Sequence, residues 1–167
     1  MIEDGKITEE LKFNSLIGKN LISLDLGIGE IKSVLQLYEN EDDFFQVSFN
    51  ESNSINYFST TSHHGFRLIS SKKRINDAIS IFKSKPESKN FTSVQDKLNF
   101  YKIILKSDDI CELAKNISIL HGEKDLHTQI KKYYEKALKS FVLEINFVLE
   151  LKRGAAWELL EIKNPFK

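Results

Sequence analysis

The basic side chains between positions 72 and 106 have the clearest chemical potential in this sequence. The stretch holds 9 Lys or Arg residues against 3 Asp or Glu, although the formal net charge of the whole chain is zero. Its most prominent members are Lys72, Lys73, Arg74, Lys97, Lys102 and Lys106. Cationic groups clustered in this way predict contacts with the phosphates of a polyanion. A solvated, lysine-rich helix face is the alternative interpretation.

The charges of the two halves of the chain are opposed. Residues 1–70 carry 5 Lys/Arg against 11 Asp/Glu, whereas residues 71–167 carry 19 against 13. This asymmetry indicates two modules with different partners, and a nucleic acid is the natural partner for the basic one.

Other residue types that often perform chemistry do not form a catalytic or metal-binding pattern here. Gly27 and Gly29 lack the third glycine and the following helix of a dinucleotide site, so they predict a strand bend. His63 and His64 are adjacent, which favours loop residues at a turn over a zinc pair. We therefore expect a non-enzymatic protein with no catalytic residue, no metal and no cofactor.

The remaining composition predicts a cytoplasmic protein. The single cysteine, Cys111, has no partner for an internal disulfide, which favours a reducing compartment. At its position we expect a small buried residue, and Trp157 is expected to be a core residue. No apolar run is long enough to span a bilayer, and the acidic N-terminus is unlike a signal peptide, so no membrane partner is expected.

Alternating apolar residues predict five short strands in the first 70 residues. They are placed near 16–24, 28–38, 44–49, 55–59 and 65–69. In the second strand, Ile31, Leu35 and Leu37 are expected to share one face. Short strands joined by short turns predict a small, bent antiparallel sheet of SH3 or Tudor type.

After residue 71 the apolar residues recur at intervals of three and four, which predicts amphipathic helices. The first helix should bury Ile75, Ala78, Ile79 and Phe82. Four more helices are predicted at about 93–106, 110–121, 127–151 and 155–162. In the second of them, the residues expected to face inward are Val94, Leu98, Tyr101 and Leu105.

The fold class that follows is α+β with two modules. Residues 12–70 form a small Tudor/SH3-like β barrel, and residues 71–163 form a bundle of about five helices. The modules are joined through the segment Gly65-Phe66-Arg67-Leu68-Ile69.

The order of these elements resembles the CarD/CdnL family of bacterial transcription regulators, from about Lys12 to Leu151. Three motifs support the resemblance. The entry carries Gly18-Lys19-Asn20-Leu21 and Gly27-Ile28-Gly29-Glu30-Ile31, and the exit carries Gly65-Phe66-Arg67. In the bundle, Lys106-Ser107-Asp108-Asp109-Ile110-Cys111-Glu112-Leu113-Ala114 is similar to the family's Ser-Gly-Asp helix start.

The resemblance implies a cytoplasmic, nucleoid-associated transcription regulator. The β module of the family docks on the RNA polymerase β subunit, and its helical module binds double-stranded promoter DNA and stabilises the open complex. Polymerase contacts are accordingly expected from Gln46, Ser48, Asn56 and Tyr57. DNA contacts are expected from Lys72, Lys73, Arg74, Lys97, Lys102 and Lys106. The protein is expected to act as a monomer.

The sequence departs from the family pattern in three places. The family's tryptophan wedge near the start of the second bundle helix is absent, and Phe91 is the candidate replacement, with a core or linker role as the alternative. Lysines stand in place of the usual arginines, so charge is kept but bidentate geometry is lost. The strand before the exit lacks the family's Val-Pro ending and its basic residue, with Tyr57 near that place.

A second hypothesis remains open. The chain is then a protein–protein adaptor with a Tudor-like module and a helical bundle that does not bind nucleic acid. The missing tryptophan and arginines favour it.

Overall fold

The computed structural model describes residues 12–39, 42–62 and 65–167. The chain divides into two compact units, Met1–Leu68 and Ile69–Lys167. The first contains a five-stranded antiparallel sheet and the second contains five helices, so the α+β class is confirmed. His63 and His64, predicted to lie in a loop, are outside the described residues.

The sheet of the N-terminal unit, here called the β unit, has the order β4-β3-β2-β1-β5. Its strands are β1 (Asn20–Ser23), β2 (Gly27–Gln36), β3 (Asp43–Phe49), β4 (Ser54–Ser59) and β5 (Phe66–Leu68). One face carries the buried core, which consists of Leu21, Ile31, Phe45, Val47, Phe49 and Phe66. Because alternate residues point to opposite faces, the sheet also presents a second face.

A β-bulge in β2 makes one predicted face wrong. The register with β3 shifts between Ile31 and Ser33, so the alternation changes sides there. Ile31 is buried as expected, but Val34 rather than Leu35 packs against the core, and Leu37 is 38% exposed.

Gly29 lets β2 lie directly on the core. A Cβ atom built at this position would stand 2.5 Å from Cγ1 of the buried Val47, with the ring of Phe49 beside it. Only glycine fits this approach, which gives the predicted glycine pair a packing role in addition to the turn before β2.

The C-terminal unit, here called the helical unit, contains five helices. They are α1 (Lys72–Lys83), α2 (Val94–Ile104), α3 (Ile110–His121), α4 (Thr128–Val148) and α5 (Ala155–Leu159). The first three begin at side-chain caps, since Ser71, Ser93 and Asp109 each accept a hydrogen bond from a backbone N–H of the first turn.

Apart from Val94, the apolar residues predicted to face inward in the first two helices lie in the core of the helical unit or pack against it. Ile75, Ala78, Ile79 and Phe82 of α1 are all buried, and α3 and α4 add further buried apolar residues to the same core. The prediction for Val94 is wrong, because this first residue of α2 is 59% exposed. The last two helices are shorter than predicted, and Glu150 and Glu161 after them have positive φ values that end the helical conformation.

Candidate nucleic-acid interface and protein-binding face

A groove of about 440 Å³ lies between α2 and α4 in the helical unit. Its residues come from one side of each helix: Gln95, Leu98, Asn99 and Lys102 from α2, and Gln129, Lys132, Tyr133 and Lys136 from α4. On both helices they are spaced by three and four, the interval that puts side chains on one helical face. We call this surface the α2–α4 groove.

The α2–α4 groove is cationic. Three lysines line it, and no Asp or Glu is among its lining residues within the described helical unit. Over residues 69–167, the ammonium groups of Lys102 and Lys132 have no carboxylate at ion-pair distance. Side-chain amides complete the surface, with Nε2 of Gln95 donating to Oδ1 of Asn99 at 3.0 Å. Ammonium groups and amide donors together suit phosphate oxygens.

Of the predicted DNA-contacting residues, Lys102 alone lines the groove. Lys106 lies exposed just beyond the end of α2, whereas Lys72 and Lys73 are exposed in the first turn of α1. Arg74 forms an ion pair with Asp109, the cap of α3, with an Nη2–Oδ1 distance of 2.5 Å. The structure therefore places one of the predicted DNA-contacting lysines in the α2–α4 groove.

Lys97 is used inside the helical unit. Its Nζ lies 2.5 Å from Oε2 of Glu123, and the two side chains are only 25% and 22% exposed. A phosphate could reach this ammonium group only in competition with a half-buried carboxylate.

Phe91 belongs to an aromatic cluster. Its ring centroid is 5.4 Å from that of Phe100 and 5.8 Å from that of Tyr101, and Nζ of Lys89 lies 4.7 Å from the Phe100 centroid. This packing favours a core or linker role for Phe91 over the predicted role as a wedge. The exposed apolar side chain at the start of α2 is instead Val94, directly before Gln95 of the groove.

Three of the four predicted polymerase contacts share the outer face of the β unit. Strand register places Gln46 opposite Tyr57 and Ser48 opposite Ile55. Oγ of Ser33 donates to Oε1 of Gln46 at 3.0 Å, and Nε2 of Gln46 donates to the Tyr57 hydroxyl at 3.2 Å. Ile55 and Tyr57 remain 60% and 46% exposed. Glu30 pairs in register with Ser48 and forms an ion pair of 2.9 Å with Lys32, so this face is polar, with a paired charge at Glu30 and an apolar side at β4.

The fourth contact, Asn56, does not join this face. It pairs in register with the buried Val47, and adjacent strand residues alternate between faces. Its Nδ2 instead donates to Oγ of Ser54 at 3.2 Å. Asn56 therefore lies on the opposite side of the sheet from Tyr57, and its predicted contact with the polymerase is separate from the outer face.

The outer face ends at an open strand edge. β4 is the last strand of the sheet, and among the described residues it pairs only with β3. An unpaired strand edge offers backbone N–H and C=O groups to a further strand.

Several titratable side chains of the helical unit contact its core. Burial raises the pKa of the Cys111 thiol, which disfavours the thiolate. His121 Nδ1 and the Tyr134 hydroxyl share a hydrogen bond of 2.7 Å, and burial lowers the pKa of His121. Trp157 is half-buried with its ring against Phe166. The described residues contain no group of three or more His, Cys, Asp or Glu that could hold a metal ion.

Two further findings concern the whole chain. No helix among the described residues has the length and apolar character needed to cross a membrane. No family model and no curated protein matches the sequence. The resemblance to the CarD/CdnL family therefore stays a prediction from the motifs quoted above.

The groove residues on α4 were not predicted from the sequence. The charge count does not distinguish Lys132 and Lys136, because residues 107–167 as a whole carry equal numbers of basic and acidic residues. A signal was present, since Gln129, Lys132, Tyr133 and Lys136 recur at three and four along one side of α4.

Proposed function

We propose that this protein is a non-enzymatic transcription regulator that bridges RNA polymerase and promoter DNA. The β unit, taken as a Tudor-like module, binds the polymerase β subunit. The helical unit binds double-stranded promoter DNA without reading its sequence, and the complex stabilises the open promoter. The observation that carries this proposal is the α2–α4 groove, a cationic surface with no acidic lining in the unit that holds the chain's basic surplus.

Lys102 and Lys132 supply the central phosphate contacts in this proposal. They line one groove from two different helices, so both can contact phosphates of a backbone that lies in it. Lys106, exposed beyond the end of α2, and Lys72 and Lys73, at the exposed start of α1, add further positive charge to the helical unit. Lysine ammonium groups give affinity and salt dependence but little base discrimination.

Val94 takes the wedge position in this proposal in preference to Phe91. It is the exposed apolar side chain at the first residue of α2, next to the groove, whereas the Phe91 ring is packed against two other rings. Small apolar side chains can insert at a base step, although a valine covers less of a base than the family's tryptophan.

The outer face of the β unit is the proposed polymerase contact. Ile55 and Tyr57 provide an apolar patch, Gln46 and Ser48 provide hydrogen-bonding groups, and β4 provides an open edge for strand addition. Glu30 beside Ser48 is neutralised by its ion pair with Lys32, and the apolar patch carries no charge, so binding through this face should depend weakly on salt.

The lifetime of open promoter complexes tests this function. The full chain is added to RNA polymerase on a promoter fragment, a competitor polyanion is added, and the surviving open complexes are counted over time. The proposal expects a longer lifetime with the wild-type chain, and no extension with Lys102→Gln/Lys132→Gln. A matched control is Lys115→Gln, which removes an exposed lysine on α3 outside the groove. A wild-type chain that leaves the lifetime unchanged overturns the proposal.

The adaptor hypothesis keeps one specific observation in its favour. Both Phe91 and Lys97, two of the predicted DNA contacts, are engaged in contacts within the helical unit. Under that hypothesis the β unit binds its protein partner, and the full chain shows no affinity for duplex or forked DNA at low salt. A direct binding measurement therefore separates the two functions.

A further inference from the structure

The ion pair between Lys97 and Glu123 links α2 to the connection between α3 and α4. Lys97 is on α2, between the groove residues Gln95 and Asn99, while Glu123 follows the end of α3 in the connection that leads to α4. The Nζ–Oε2 distance is 2.5 Å. The pair therefore joins one wall of the groove to the segment from which the other wall begins.

The surroundings of the pair are partly removed from water. Both side chains are about three-quarters covered, and the pair lies near the fully buried Tyr101 of α2. Burial and then the charge of Glu123 raise the pKa of Tyr101 to about 12. An ion pair in such surroundings is sensitive to the loss of one partner, because the other charge is left uncompensated.

No second ion pair in the described helical unit supports α2 in the same way. Two further ion pairs of the helical unit join Arg74 to Asp109 and Lys83 to Glu161, and neither involves α2. The other polar contacts of the first turn of α2, from Thr92 and Ser93 to Asp96, stay within that turn and its cap. Lys97 and Glu123 are thus placed to fix the distance of α2 from α4.

We propose that Lys97 and Glu123 are positioning residues for nucleic-acid binding, and that Lys97 does not contact phosphate. Their ion pair holds α2 so that Lys102 and Lys132 face one groove. This inference rests on the proposed DNA binding, but it reassigns a lysine that the sequence alone gave to the phosphates.

The inference predicts an effect opposite to the one that simple electrostatics predicts. Glu123→Gln removes a negative charge from a polyanion-binding unit, which by itself strengthens binding. If the pair positions the groove, the same substitution weakens binding. Directly coupled side chains show interaction energies that correspond to about two- to 150-fold in an equilibrium constant, and for this partly exposed pair we expect the lower part of that range, about three- to tenfold.

The experiment measures the affinity of the full chain for a fluorescent 20-base-pair duplex at low salt. Glu123→Gln and Lys97→Gln are each expected to bind about three- to tenfold more weakly than wild type. The charge swap Lys97→Glu/Glu123→Lys is expected to recover binding to within about twofold, since it rebuilds the ion pair. The control Asp125→Asn makes the same charge change at an exposed residue in the same connection, and it is expected to bind as wild type or slightly more tightly.

Three results overturn the inference. The first is tighter DNA binding by Glu123→Gln than by wild type, and the second is a charge-swap variant that binds DNA no more tightly than Lys97→Glu alone. The third is a slope of log affinity against log salt that is smaller by about one unit in Lys97→Gln, as is expected for a lost phosphate contact. Thermal unfolding of each variant shows whether the helical unit stays folded.

A distance measurement keeps the inference testable without DNA. Spin labels at the exposed positions 94 and 131, on a Cys111→Ser background, report the separation of α2 and α4. Glu123→Gln is expected to shift or broaden the distance distribution, and the charge swap is expected to restore it. An unchanged distribution in Glu123→Gln contradicts the positioning role. The proposed function alone is refuted if the labelled chain with Lys97 and Glu123 intact shows the expected distances but the unlabelled wild-type chain has no affinity for DNA.

Discussion

The outer face of the β unit and the α2–α4 groove are both open to solvent, but they differ in physical character. The first is a surface of Ile55, Tyr57 and hydrogen-bonding side chains at a strand edge, where the charge of Glu30 is paired with Lys32. The second is a groove with three lysines and no acidic lining residue within the described helical unit. The first suits a protein partner through apolar burial, and the second suits a polyanion through ion release. The difference predicts that binding at the groove depends strongly on salt and binding at the outer face depends weakly on it.

The largest expected effect comes from reversing charge in the groove. Lys102→Glu/Lys132→Glu places two carboxylates where the proposal needs two ammonium groups, and we expect DNA affinity to fall by about 100-fold or more at low salt. Binding to the polymerase β subunit should stay within about twofold, since the outer face of the β unit is unchanged. Fluorescence anisotropy measures the first and surface-immobilised β subunit the second. Equal losses of affinity for DNA and for the β subunit would contradict the assignment of the two partners to separate surfaces.

The next effect is on the core of the β unit. Gly29→Ala forces a methyl group against Val47 and Phe49, and such overpacking costs about 1–3 kcal/mol of unfolding free energy. We expect the β unit to unfold at lower denaturant, with polymerase binding lost in parallel. DNA binding should persist beyond that transition if the helical unit unfolds separately. A single coincident transition for both activities would argue against separable units.

Removal of the apolar patch on β4 is expected to have a smaller effect. Tyr57→Ala and Ile55→Asp each should weaken polymerase binding by about tenfold, as is common for central apolar interface residues. Tyr38→Ala is the matched control, because Tyr38 is also exposed but lies beyond the end of β2. DNA affinity should not change in any of the three variants. A control variant as weak as Tyr57→Ala would remove the outer face from the proposal.

A larger side chain at Val94 tests whether this residue inserts at a base step of the bound DNA. Val94→Trp at the exposed start of α2 should increase affinity for forked over duplex DNA by about three- to fivefold, because a larger ring stacks better on an unpaired base. Phe91→Ala should instead lower the thermal stability of the helical unit through loss of ring packing. If Phe91→Ala removed fork preference without loss of stability, Phe91 and not Val94 would be the wedge.

The smallest effect concerns Tyr101. Its hydroxyl is buried and has no hydrogen-bond partner in the described structure, so Tyr101→Phe should stabilise the helical unit by about 0.5–1 kcal/mol. The pKa of Tyr101 is raised to about 12 in the folded state, mainly by burial. Its contribution is therefore fully present below pH 10 and lost as the pH rises towards 12, because the unfolded state ionises first. The phenylalanine variant should lose less stability over this range in alkaline unfolding experiments, and an equal loss would contradict the burial of the hydroxyl.

Most helices and strands could be predicted from the sequence because the features that define them lie within a few residues of one another. The stripe of Ile75, Ala78, Ile79 and Phe82 needs only helical periodicity, and the caps at Ser71 and Asp109 need only a side-chain oxygen at a helix start. The bulge after Ile31 was missed, since the extra residue that reverses the faces of β2 depends on pairing with β3.

The candidate site was only half predictable, because it depends on which helices meet. Lys102 was selected from a local charge cluster, whereas Lys132 reaches the same groove from α4, 30 residues further along the chain. Lys97 shows the converse case. It belongs to the same cluster as Lys102, yet the fold pairs it with Glu123. Net charge therefore locates the unit that could bind a polyanion, but tertiary contacts decide which lysines are available.

The most direct test of the two-surface account is the salt dependence of both binding reactions, measured on one preparation of the full chain. Between 50 and 200 mM salt, we expect affinity for promoter DNA to fall by about tenfold or more, and affinity for the polymerase β subunit to change by less than about threefold. Lys102→Gln/Lys132→Gln should flatten the first dependence and leave the second unchanged. Absence of salt-sensitive DNA binding at 50 mM salt would contradict the account.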